Sequence, residues 1–76
     1  MRTKKTYKLH GSSHSLDCFS ERLDMENLKF KETFKACDCY GESGELHIEI
    51  NISKDMITEV EELLHELAKK TGVRIE

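Results

Sequence analysis

The chain has 76 residues, a net charge of −3 from 12 Lys and Arg against 15 Asp and Glu, and three cysteines. A single domain of this size buries only about 60% of its unfolded surface, so a metal, a ligand or a second subunit is a reasonable source of extra stability. The acidic balance argues against a dedicated nucleic-acid binder, whose affinity rests on clustered cations. Three thiols cannot all pair within one chain, and no apolar leader or membrane-length apolar run is present. The expectation is a cytoplasmic chain with reduced cysteines and no membrane contact.

Residues 1–4 read as a disordered basic tail on one domain spanning 1–76. Thr6-Tyr7-Lys8-Leu9-His10 reads as a short strand closed by Gly11. Leu16, Phe19 and Leu23 then fall at helical spacing, with Ser13 or Ser15 as N-cap, which predicts a helix between Ser13 and Met25. Leu28, Phe30, Phe34, Ala36 and Tyr40 alternate with lysines, Thr33 and the thiols of Cys37 and Cys39, a strand over 28–40. Glu42-Ser43-Gly44 fits a three-residue hairpin loop with glycine left-handed, leading into the alternating strand 46–52. That loop pairs Tyr40 with Leu46, Ala36 with Ile50 and Phe34 with Ile52. Glu32 and Asp38 are misfits on the apolar face and point to a bulge or a frayed end at one of them.

The clearest element follows. Met56, Ile57, Val60, Leu63, Leu64, Leu67 and Ala68 repeat at helical spacing, with Ser53 as N-cap, Asp55 in the first turn, Lys69 and Lys70 in the last, and Gly72 as the left-handed stop. His65 borders the apolar stripe, and Met25 and Met56 read as core filler. Val73-Arg74-Ile75 reads as a final strand. The order βαββαβ is the ferredoxin-like, α+β arrangement: an antiparallel four-stranded sheet with both helices on one face. Reading 16–23 as a strand would give a β-meander plus one helix instead.

No phosphate loop, nucleophile elbow or zinc-protease helix is present, and nothing in the spacing demands a Cys/His nucleophile pair, so the expectation is not an enzyme. Metal binding has a geometric basis in this fold. The end of strand one, the start of helix one and the central hairpin share one pole, which draws His10, His14 and Cys18 toward Cys37, Cys39 and His47. The expected register sets Cys39 opposite His47 with Cys37 on the same face, a donor set suited to zinc or cuprous copper. The plainer alternative is thiols half-buried at a sheet surface and histidines in a polar loop. Lys29, Lys31 and Lys35 form a basic strand face, read as solvated or as a site for an anionic partner, and Glu59, Glu61, Glu62 and Glu66 form a solvated acidic helix face.

The element order, the opening "TYKLHG" and the closing "VRIE" resemble the heavy-metal-associated domains of copper chaperones and metal-pumping P-type ATPases. That family places Cys-x-x-Cys shortly after the glycine; here His14 and Asp17 stand at those positions, followed by Cys18. The resemblance implies a copper-type site lost, or rebuilt around His14, Cys18 and the hairpin thiols. The rival expectation is a non-catalytic protein-interaction module, homodimeric through an exposed sheet edge, where strand 28–40 outruns its partner.

Overall fold

Residues Arg2 to Gly11 pair one for one with Ser53 back to Gly44, and this antiparallel ladder is the spine of the molecule. The computed structural model describes residues 2–76. It runs β1 (Arg2–Gly11), α1 (Ser13–Met25), β2 (Phe30–Cys37), β3 (Gly44–Ser53), a 3-10 turn (Lys54–Met56), α2 (Ile57–Thr71) and β4 (Arg74–Ile75). The sheet order is β2-β3-β1-β4 with every neighbouring pair antiparallel. The architecture is therefore α+β, with two helices and one four-stranded sheet. The β-meander alternative is overturned, since 16–23 lie inside α1.

Alternation decides the two sheet faces. Tyr7 and Leu9 of β1 and Leu46, Ile48, Ile50 and Ile52 of β3 turn to one side and join Leu16, Phe19 and Leu23 of α1 and Val60, Leu64, Leu67 and Ala68 of α2 in a single core. Each fully buried aliphatic or aromatic side chain contributes about 1.5–3 kcal/mol. Both helices thus cover the same face, and the other face is left to β1, β2 and β3 side chains of opposite parity. Ser12 caps α1, accepting from the Ser15 amide at 3.1 Å. Gly72, at φ 80°, closes α2 in the left-handed region that a Cβ would strain.

Several expectations are corrected. Arg2, Thr3 and Lys4 are not a tail but pair with Ser53, Ile52 and Asn51; Met1 lies outside the described residues. Ser53 makes no side-chain cap and leads into the 3-10 turn, so α2 starts at Ile57. Met25 and Met56 are 77% and 47% exposed, not core. β2 is shorter than β3 and contributes no buried residue. A bulge between Glu32 and Phe34 shifts the β2–β3 register, so that Phe34 faces His47, Lys35 faces Leu46 and Cys37 faces Gly44. On the helix side Glu32 accepts from Ser20 at 3.1 Å and Lys35 pairs with Asp17 at 2.8 Å, and Phe34 and Ala36 go to the open face. The loop is 38–43, with Gly41 rather than Gly44 at positive φ (70°).

Tyr7 donates its phenol to Glu61 Oε2 at 3.2 Å. Burial foremost, then the Glu61 charge and the hydrogen bond, push the phenol up to about 12 from its ordinary 10.0. A folded-state value above the unfolded one means the contribution is whole below pH 10 and disappears as pH rises toward about 12. Urea denaturation across that range should therefore show a loss of stability in the parent that Tyr7→Phe lacks, at a neutral-pH cost of about 1 kcal/mol. An identical alkaline loss in both proteins would contradict the assignment.

Candidate metal centre

On the face not covered by helices, period-two parity exposes His10 from β1 and Glu45 and His47 from β3, with His10 directly across from Glu45 and Lys8 across from His47. Glu76 is brought alongside because its amide donates to the Lys8 carbonyl at 2.9 Å, carrying the β4 edge one residue further. His10 Nε2 lies 2.8 Å from Glu76 Oε2 and 3.8 Å from Glu45 Oε1, and His47 Nε2 lies 3.3 Å from Glu45 Oε2. A carboxylate only accepts, so His10 presents its Nε2 proton to Glu76. That hydrogen bond, followed by the Lys8 charge, holds the exposed Glu76 carboxyl below its usual range.

His47 is the unusual member. Its Nε2 is enclosed and has no hydrogen-bond partner, because the Glu45 oxygen at 3.3 Å is within ion-pair distance but out of line for a hydrogen bond. The Phe34 ring, turned onto this face by the bulge, sits 4.8 Å from the imidazole centroid at an interplanar angle of 38° and shields it. An enclosed unpaired nitrogen costs about 1–3 kcal/mol. Backbone irregularity in β2 thereby shapes the environment of a β3 histidine.

Two imidazoles and two carboxylates suit a borderline divalent cation such as zinc, cobalt or nickel better than cuprous copper, which selects sulfur. Zinc with nitrogen and oxygen ligands near 2.0–2.1 Å in a tetrahedron sets donors about 3.3 Å apart. Within the trio of His10, Glu45 and Glu76 the separations of 2.8 and 3.8 Å bracket that value, and His47, outside the trio, lies 3.3 Å from the second Glu45 oxygen.

The thiol-based arrangement expected from the sequence is not formed. Cys37 pairs with Gly44 on the helix side of the sheet, its Sγ lying 2.8 Å from where a Gly44 Cβ would be, whereas His47 is on the open side. Cys39 lies in the 38–43 loop, two residues beyond the end of β2. His14 Nε2 and Cys18 Sγ touch at 3.6 Å one turn apart on α1. Among the described residues the one trio of His, Cys, Asp or Glu with donor atoms within 4.8 Å is His10, Glu45 and Glu76. Sequence reading reached His10 and His47 but missed Glu45 and Glu76. Glu45 shares His47's parity, a signal available in advance; Glu76 is placed by the β1–β4 pairing, which local pattern does not encode.

No helix among the described residues is long and apolar enough to cross a membrane. No protein-family model matches the chain, and no curated protein sequence matches it.

Proposed function

We propose that this chain is a small non-catalytic binding module of ferredoxin-like architecture, and that it takes a divalent transition-metal cation, zinc by preference, on its open sheet face. The observation that carries the reading is the trio of His10, Glu45 and Glu76, whose donor atoms lie within 4.8 Å of one another, with the enclosed, unpartnered His47 Nε2 3.3 Å from Glu45. His10 and His47 supply nitrogen, Glu45 bridges between them, and Glu76 closes the set. The edge order β2-β3-β1-β4 and the shared helix-bearing face support the architecture. The likeness to heavy-metal-associated domains is then one of architecture, with the donors moved from the first loop to the sheet. Three cysteines outside any disulfide support a reducing, cytoplasmic setting.

The rival reading, docking through the β2 edge, is weakened by that edge's own chemistry. Lys31, Lys35 and the bulge at Thr33 are devices that blunt strand pairing.

Calorimetric titration with zinc tests the proposal. One equivalent should bind, at a zinc excess of 100 times Kd raising stability by about 2.7 kcal/mol, or about 10–20 °C in Tm for a domain this small. His10→Ala and His47→Ala should each weaken binding at least about tenfold, while Cys37→Ser and Cys39→Ser leave it unchanged. Uptake should fall at acid pH, since imidazole must be neutral to ligate. Absence of binding, or loss on the cysteine changes alone, would overturn it.

A further inference from the structure

At the opposite end of the β1–β3 ladder, β2 stops short. Its first residue, Phe30, pairs with Ile50, so that Asn51, Ile52 and Ser53 have β1 on one side and no strand on the other. A cleft of about 490 Å³ opens along this unpaired stretch, a size within the usual range for ligand sites. Its apolar lining is made by Leu28, Ile50, Ile52 and Val60, with the half-exposed Met56 at the rim. Its charged lining residues are Arg2 and Lys29, with no carboxylate among them. Arg2 Nη1 donates to the Asn51 carbonyl at 3.3 Å, which holds the guanidinium at the strand edge with further donors to offer. Neither Arg2 nor Lys29 forms an ion pair among the described residues.

We propose that this cleft binds the carboxy-terminal end of a peptide, adding two or three residues as a short strand beside Asn51–Ser53. Backbone groups of the strand edge supply the pairing, the apolar lining takes a side chain of the peptide, and Arg2 and Lys29 take the terminal carboxylate. The 47% exposure of Met56 at the mouth fits an adaptable contact for varied apolar side chains. The unpaired edge distinguishes this occupant from a simple fatty acid, which has no amides to offer it. The cleft is eight residues along β1 from His10, about 26 Å at the usual strand rise, so it is independent of the metal centre.

Heteronuclear NMR titration of the full chain, in chelated, zinc-free buffer, with N-acetyl-leucyl-leucyl-valine tests this. The expected result is a saturable shift of the Asn51, Ile52 and Ser53 amides and the Val60 and Met56 methyls. The carboxamide form of the same peptide should bind about tenfold more weakly or worse, in line with the loss of a charge-assisted contact of about 1.5 kcal/mol. Arg2→Gln and Lys29→Gln, both on exposed side chains, should each reduce the preference for acid over amide. Decanoate should leave the three amides unmoved. Equal binding of acid and amide, shifts centred elsewhere, decanoate reproducing the amide shifts, or no saturable shift would overturn the proposal.

Discussion

Phe19→Ala is expected to remove a large share of the chain's stability at 25 °C. Phe19 is fully buried on the inner face of α1, in the core formed with the sheet and α2. Truncating such a ring removes about 3–5 kcal/mol. A domain of this length has a total of about 4–11 kcal/mol to lose, and β2 offers no buried side chain to compensate. Far-ultraviolet circular dichroism followed through urea should show the midpoint displaced to lower denaturant by the equivalent of about 3–5 kcal/mol. A cooperative transition displaced by less than about 1 kcal/mol would contradict the assignment of the core.

Gly44→Ala is expected to cost about 1–3 kcal/mol, in the manner of an overpacked site. The reason is close approach at the first residue of β3. A Cβ there would lie 2.8 Å from Cys37 Sγ, 3.1 Å from the Ala36 carbonyl oxygen and 3.1 Å from Leu16 Cδ1. The carbonyl belongs to a paired strand and Leu16 is fully buried, so neither yields easily. Cys37→Ala removes the nearest of the three. Combined with Gly44→Ala it should recover part of the loss, a coupling that a double-mutant cycle measures. Additive costs would mean that Cys37 does not sit over Gly44, and that the register of the hairpin is different.

Local pattern was enough wherever one face is apolar and the chain is regular. Leu46, Ile48, Ile50 and Ile52 specify β3, and the α2 stripe and Gly72 specify the last helix, because burial selects one parity or one stripe. The same rule misled at β2. Phe34 and Ala36 share a parity that would set them in the core, but one extra residue at Thr33 reverses it, and Lys35 and Glu32 meet α1 through Asp17 and Ser20 instead, while Tyr40 falls in the loop beyond β2. A misfit at Glu32 was visible; which side of it would flip was not. The loop departs from the expected three-residue turn for a similar reason. Asp38 accepts from the Glu42 amide at 2.9 Å, and the Gly41 carbonyl accepts from the Ser13 amide at 2.9 Å, which ties the turn to the start of α1. That tertiary link favours a six-residue loop over the tight turn that Gly44 suggested. The displaced register then parted the thiols from His47 and put Phe34 over it. The proposed metal centre consequently shares His10 and His47 with the soft-metal arrangement expected from the sequence, but would draw its other donors from carboxylates.

X-ray absorption on the zinc-loaded protein tests the central claim most directly. The account predicts a first shell of nitrogen and oxygen alone at about 2.0–2.2 Å, with imidazole scattering from two histidines that His10→Ala or His47→Ala reduces to one. Scattering from sulfur at about 2.3 Å would contradict it, and so would a protein that leaves its zinc in solution.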